Sequence, residues 1–87
     1  MPTVFIPPAL QALTGGRASL EVEGGTVREL LDNLEQAWPG LRERLAEGDR
    51  LRPHVRVAVD GKVSMLGLLE RVGPGSEVHF VAAVSGG

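Results

Sequence analysis

The chain has 87 residues, 43% of them apolar and 23% charged, which suffices for one small domain with a single modest core. Its formal net charge of −2 and its few aromatic residues, two Phe and one Trp, argue against nucleic-acid binding. The absence of cysteine excludes disulfides, thiolate metal sites and a cysteine nucleophile. No stretch approaches the roughly 20 apolar residues of a membrane span, and the first residues do not resemble a signal peptide. We therefore expect a cytoplasmic protein without a membrane partner.

Two short strands are predicted in the N-terminal part. Residues 3–6 form a β-branched and aromatic run that Pro7-Pro8 ends. Residues 18–23 alternate apolar and polar side chains and stop at Gly24-Gly25. With the turn signal Gly15-Gly16 between them, the two strands are expected to form a hairpin with a long connection.

The main helix has the clearest pattern in the sequence. Thr26 can cap the first N–H groups, and Glu29 three residues later completes a capping box. The apolar stripe that follows has helical spacing and consists of Val27, Leu30, Leu31, Leu34 and Trp38. Pro39 ends this helix and suits the first turn of a second, short helix, which presents Leu41 and Leu45 and stops at Gly48.

The C-terminal half is predicted to contain two more strands. A polar loop at residues 48–53 precedes the alternating run Val55 to Val59, which ends at the turn Asp60-Gly61. Residues 63–72 indicate a short buried turn or a single helical turn. Residues 77–84 form the last strand.

This order of elements favours an α+β fold, a mixed sheet of about four to five strands packed on one main helix. A right-handed crossover through the helix would place the first and last strands side by side and parallel. We expect one domain, residues 1–87, with residues 83–87 as a flexible C-terminal tail.

Side chains offer no recognisable active site. His54 and His79 lack partners in a motif such as H-E-x-x-H, so we interpret both as surface histidines and expect no metal. The serines lack a G-x-S-x-G context, and no cofactor motif is present.

The chain end is more informative. In a chain with 12 glycines, the ending Gly86-Gly87 has a chance frequency of about 2%. A glycine pair has no side chains, so it can enter a narrow channel in another protein. A carboxylate there becomes a good electrophile after adenylation. The sequence thus predicts a tail that another enzyme activates.

A candidate docking surface accompanies the tail. Because strand residues alternate between faces, Phe5 points away from Val4 and Ile6, and Val63 and Val81 are expected on the same side as Phe5. Together they would form an apolar patch that a partner covers.

These features resemble the ubiquitin-like sulfur carriers of the ThiS/MoaD family, which have the β-grasp fold. The similarity covers essentially the whole chain, and its most specific part is the strand start Glu77-Val78 followed by Val84-Ser85-Gly86-Gly87. The Pro7-Pro8 start and the Thr14-Gly15-Gly16 turn are more similar to CysO-type carriers of cysteine biosynthesis than to the thiamin carrier. Asp60 departs from the Asn that many members have at this turn.

The resemblance implies a protein co-substrate without catalysis of its own. An E1-like enzyme would use ATP to adenylate Gly87, and sulfur would replace the adenylate to give a thiocarboxylate. Gly86 would be a thin spacer, and Val84 and Ser85 the part of the tail that the partner's channel contacts. The docking residues would be Phe5, Val63 and Val81, and the free carrier a monomer.

The sulfur acceptor stays open at this point. It would be a cysteine synthase type of enzyme, the large subunit of molybdopterin synthase, or an enzyme that thiolates a secondary metabolite. A ubiquitin-like modifier joined to lysines through Gly87, and a plain β-grasp interaction domain with an accidental glycine ending, are the alternatives of other classes.

Overall fold

A computed structural model describes residues 1–82, so the predicted tail at 83–87 lies outside the described residues. The strands in chain order are β1 (Thr3–Phe5), β2 (Ser19–Glu21), β3 (Ala46–Glu47), β4 (Arg50–Leu51), β5 (Val55–Val59), β6 (Lys62–Val63) and β7 (Glu77–Ala82). Five of them form one mixed sheet in the order β2-β1-β7-β5-β6, in which only β1 and β7 are parallel. The predicted β-grasp arrangement is confirmed, including the pairing of the first strand with the last.

The main helix, α1 (Val27–Ala37), begins at the predicted cap. The Thr26 hydroxyl oxygen accepts a hydrogen bond from the N–H of Glu29 at 3.2 Å, and the Glu29 carboxylate accepts one from the N–H of Gly25 at 2.8 Å. In an ideal capping box the carboxylate would reach the N–H of Thr26. Here it reaches one residue further back and so also fixes the end of the preceding loop.

The core lies between α1 and one face of the sheet. The buried apolar side chains of the sheet are Val4, Ile6, Val55, Val57, Val78 and Phe80, and those of α1 are Val27, Leu30, Leu31 and Leu34. Each large side chain buried here contributes about 1.5–3 kcal/mol relative to an exposed one. Leu68, in the 3₁₀ turn Gly67–Leu69, closes this core, which confirms the predicted single helical turn.

The connection between β1 and β2 is more ordered than its sequence indicated. It contains a 3₁₀ helix, Pro8–Thr14, which begins with a proline whose fixed φ suits a first helical turn. Thr14 is fully buried, and its hydroxyl lies 3.1 Å from the carbonyl oxygen of Gln11 and 3.0 Å from that of Arg17. Gly15, with φ 63°, ends this helix.

The prediction for the second helix is wrong in two details. Helix α2 (Leu41–Leu45) has Gly40 as its N-cap, so Pro39 precedes the helix rather than occupying its first turn. Gly48 does not stop the helix. With φ 62°, it lies in the turn of a β3–β4 hairpin, which replaces the first part of the predicted polar loop.

The joint between α1 and α2 is held by one carboxylate. The two oxygens of Glu35 accept hydrogen bonds from the N–H groups of Gly40, at 2.9 Å, and Arg42, at 3.0 Å. These two bonds, that of Gly40 first, lower the pKa of the Glu35 carboxyl below its usual value of 4.5. The side chain of Arg42 also pairs with Asp32 at 2.8 Å, so α2 is tied to α1 twice.

A second carboxylate joins the β5–β6 turn to the start of β7. Asp60 and Gly61 have φ of 51° and 86°, the conformation of a tight hairpin turn. The Asp60 carboxylate accepts hydrogen bonds from the N–H of Glu77 at 2.9 Å and from the hydroxyl of Ser76 at 3.0 Å. That hydroxyl oxygen accepts from the N–H of Gly73 at 2.8 Å, so two turns share one network.

We predict that Glu35→Gln lowers the urea midpoint of unfolding at neutral pH, because an amide accepts these two bonds less well. Because the pKa of Glu35 is lowered in the folded state, its carboxylate stabilises the fold at pH values above the usual carboxyl pKa. This stabilisation is lost as the pH falls through the lowered pKa. The difference from the parent chain should therefore shrink in acid. Glu23→Gln, in an exposed segment, is the control, and an equal loss in both variants would contradict the role of Glu35.

We predict that Asp60→Ala lowers the free energy of unfolding by about 1–2 kcal/mol, because the Ser76 hydroxyl and the Glu77 N–H lose their acceptor. Asp60→Asn should lose less than half as much, since asparagine tolerates positive φ and keeps one carbonyl acceptor. Asp49→Ala, at an exposed and loosely paired carboxylate, should stay within about 0.5 kcal/mol. Denaturant titration measures all three, and equal losses for Asp60→Asn and Asp60→Ala would contradict the network.

Candidate functional site

A single row of residues crosses the face of the sheet that points away from α1, called here the distal face. The strand register places five residues side by side, namely Ser19, Phe5, His79, Ala58 and Val63. Their neighbours along the strands, such as Val4, Val57 and Val78, are buried beneath α1. Since strand residues alternate between faces, the row must lie on the distal face.

Two aromatic rings form the centre of this row. Phe5 and His79 stack with their centroids 4.2 Å apart and their planes only 4° from parallel. The sequence predicts a surface position for His79. The structure places His79 in the apolar patch next to Phe5. This position follows from the register of β1 and β7, which sets positions 5 and 79 opposite each other.

The other predicted docking residues flank this stack. Val63 and Val81 are 57% and 42% exposed, large fractions for apolar side chains. Val81 lies two residues beyond His79 on β7 and therefore on the same face. Met65 and Leu66, in the loop after β6, are also exposed, at 93% and 59%. The structure thus brings Phe5, Val63 and Val81 onto one face, and sequence reasoning missed Met65 and Leu66.

The predicted reactive end follows directly from this sheet. β7 ends at Ala82, opposite Val55 at the start of β5. Val84, Ser85, Gly86 and Gly87 lie outside the described residues. At about 3.3–3.6 Å per extended residue, the five residues after Ala82 span at most roughly 17 Å. A carboxylate on Gly87 therefore lies within that distance of Ala82.

Within residues 1–82, no group of three or more His, Asp or Glu side chains is placed to hold a metal ion. No helix in this part is long and apolar enough to cross a membrane. A polar concavity of about 450 Å³ lies beside Glu35 and Arg42, and the Glu35 carboxylate there already accepts hydrogen bonds from the start of α2.

Comparison with known proteins gives consistent results over nearly the whole chain. Residues 4–87 match the model of the ThiS family. The sulfur carrier protein CysO of Mycobacterium tuberculosis is 31% identical over 90 aligned residues, which cover 98% of this chain and 97% of that protein.

Solved structures agree with this similarity. A chain in the crystal structure of the Amycolatopsis orientalis BexX/CysO complex superposes with a TM-score of 0.90 at 34% identity, with both chains fully covered. The small archaeal modifier protein 1 of H. volcanii superposes with a TM-score of 0.72 at 28% identity, covering 95% of this chain and 97% of that one.

We predict that the Phe5–His79 stack contributes a coupling of about 0.5–1.5 kcal/mol to stability. Phe5→Leu and His79→Gln each remove one ring, and the double variant completes a thermodynamic cycle measured by denaturant titration. The pair Thr3 and Glu77, also opposed on β1 and β7, serves as a control cycle with Thr3→Ser and Glu77→Gln. A coupling near zero for Phe5 and His79 would show that the stacked geometry adds nothing.

Proposed function

Because this chain belongs to the ThiS family, we propose that it is a sulfur carrier protein whose Gly87 carboxylate holds the sulfur. The observation that carries the proposal is a similarity to CysO over nearly the full length of both chains. The Gly86-Gly87 ending follows the central strand of the sheet, so the reactive end is attached to a rigid element.

The proposed chemistry has two displacements. In an E1-like partner, a carboxylate oxygen of Gly87 attacks the α-phosphorus of ATP and pyrophosphate leaves. Hydrosulfide then attacks the acyl carbon, AMP leaves, and the thiocarboxylic acid loses its proton to give a thiocarboxylate. The carrier binds no cofactor of its own in this scheme, because the partner binds the ATP. Val84, Ser85 and Gly86 lead the end through the partner's channel, where glycine at position 86 keeps the tail thin.

Phe5, Val63 and Val81 are the docking residues in this proposal. Their shared position on the distal face and the exposure of the two valines support that role. A. orientalis CysO is known in a complex with BexX, which shows that a close structural relative binds a partner protein. In this proposal the chain acts as a co-substrate of such partners rather than as an enzyme.

We propose cysteine biosynthesis as the destination of the sulfur, with a cysteine synthase type of enzyme as the acceptor. The similarity to CysO favours this acceptor over the large subunit of molybdopterin synthase. A carrier for a thiolated secondary metabolite is the next alternative. The ATP-dependent loading fits the cytoplasmic location and the free monomer that we expect from the sequence.

A ubiquitin-like protein modifier is the second candidate function. The similarity to the small archaeal modifier protein 1 of H. volcanii favours it, since the fold and the glycine ending would serve both roles. The two functions share the adenylation of Gly87 and differ in the group that attacks next, which is sulfur for a carrier and a lysine amine for a modifier.

Intact mass spectrometry tests the carrier. After incubation with an E1-like enzyme, ATP and a sulfur source, the C-terminal peptide should exchange one oxygen for one sulfur. Removing Gly87, or adding one alanine after it, should abolish loading without changing the urea midpoint, because the core side chains lie between Val4 and Phe80. A chain with one alanine added before Met1 is the matched control and should load normally.

A loaded variant with the C-terminal extension would contradict Gly87 as the reactive residue. Failure of the parent chain to load with several E1-like enzymes would contradict the carrier. Covalent adducts on lysines of other proteins, lost without Gly87, would favour the modifier.

A further inference from the structure

The reach of the tail limits how an activating enzyme can approach. The enzyme must bring its catalytic site within roughly 17 Å of Ala82, the extended length of five residues. Even a domain of 100 residues has a radius of gyration of about 13 Å, so the enzyme is wider than this reach. If the catalytic site is set back in a channel, as proposed above, the enzyme surface comes close to the carrier around the end of β7.

The carrier has a pocket at this place. A cavity of about 240 Å³ adjoins the end of β7, and Ala82 itself lines it. Apolar side chains such as Leu10 and Phe80 form its walls, while Arg44 and His54 are its cationic or titratable members. A neighbouring concavity is lined by the same two residues together with Leu10, Glu43 and Arg52. Ala82, the last described residue, thus lies beside an apolar pocket that Arg44 and His54 also line.

The positive charge of the chain is concentrated near this pocket. Residues 42–56 contain five arginines and three carboxylates, whereas the rest of the chain contains four cationic side chains and eight carboxylates. A chain of net charge −2 therefore has a positive segment, and this segment includes α2 and the start of β5, which adjoin the end of β7.

Three of these arginines, Arg44, Arg50 and Arg56, have no carboxylate partner among residues 1–82. The ion pairs found there join Arg28 to Asp49, Arg42 to Asp32 and Arg52 to Glu47. Arg50 belongs to the β3–β4 hairpin and does not line the pocket. Arg56 lies opposite Val81, one residue before the end of β7. Its guanidinium donates to the carbonyl oxygens of Pro53 at 3.2 Å and Val55 at 3.1 Å, which hold the charge close to the backbone at this end of the sheet.

We infer that Arg44 and Arg56, with His54 between them in the chain, form a basic docking site for acidic side chains of the enzyme that activates Gly87. The inference rests on the proposed function and adds that the surface of the activating enzyme carries acidic side chains at this contact. Arg56 lies on the distal face beside Val81, whereas Arg44 lines the pocket beside Phe80 on the α1 side, so the proposed site surrounds the end of β7 from both faces. A nucleic acid is a poor occupant for a chain of net negative charge.

Exposed charges at the edge of an interface mainly accelerate association, and salt screens them. At an ionic strength of 0.15 M the screening length is about 8 Å, and at 1 M it is about 3 Å. The basic site should therefore lower the KM for the carrier at low salt, leave kcat unchanged, and lose its effect at high salt.

The test compares two double charge reversals in the full chain. R44E/R56E reverses the site, and K62E/R71E makes the same change in net charge elsewhere. Lys62 lies opposite Val59, which pairs with Val78 near the start of β7, and Arg71 bridges to Thr26 before α1, so both are remote from Ala82. Initial rates of Gly87 loading are measured against carrier concentration at about 0.05 M and 0.5 M salt.

At low salt, R44E/R56E should raise KM at least about tenfold with kcat unchanged, and K62E/R71E should stay within about twofold of the parent chain. At high salt the three KM values should converge. R44Q/R56Q, which removes the charges without adding new ones, should fall between the parent and the reversal. The urea midpoint of each variant confirms that the domain is folded.

Equal KM values for R44E/R56E and K62E/R71E would overturn the inference. So would a fall in kcat at unchanged KM, since that would place the arginines in tail positioning rather than docking. Neither result contradicts the proposed sulfur-carrier function as long as the parent chain is loaded. Absence of loading in the parent chain would instead overturn the proposed function itself.

Discussion

The parallel pairing of β1 with β7 is the contact on which the rest of the structure depends. It joins the first and last strands of the chain at the middle of the sheet, through the register Val4 opposite Val78. Both side chains are fully buried under α1. A contact between residues so far apart in sequence closes a long loop, and the free energy for this comes from the core that the pairing completes. The pairing also places β7, the strand that precedes the proposed reactive end, at the centre of the sheet.

Because side chains alternate along a strand, the residues that form the core and the residues on the distal face belong to opposite faces of the same sheet. Val4 and Val78 face α1 and form the core, whereas Phe5 and His79, one residue further along each strand, face away. With one main helix, the domain covers only one face of its sheet. The distal face is therefore available for a partner, and a change there need not disturb the core.

Polar contacts hold the parts that the core does not reach. Glu35 fixes α2 against α1, and Asp60 fixes the β5–β6 turn against the start of β7. Each uses both carboxylate oxygens, so one side chain satisfies two donors that would otherwise need water. The position of α2 matters beyond the core, because this helix carries Arg44 to the end of β7.

Local patterns in the sequence determined α1 with its cap, the strands β1, β2, β5 and β7, the Asp60-Gly61 turn and the distinctive chain end. Each depends on neighbouring residues, such as the Thr26 and Glu29 pair or a period of two or 3.6, and such signals are present in the chain itself. The short β3–β4 hairpin, the 3₁₀ helix at Pro8–Thr14 and the true role of Gly48 were decided by the tertiary structure. These elements are too short to show a hydrophobic period, and their conformations are set by packing against the rest of the domain. The Phe5–His79 stack joins residues far apart in sequence. The end of β7 is likewise far in sequence from Arg44, His54 and Arg56, which lie beside it in the fold. Such neighbours are set by strand register and by the position of α2, which no local pattern encodes.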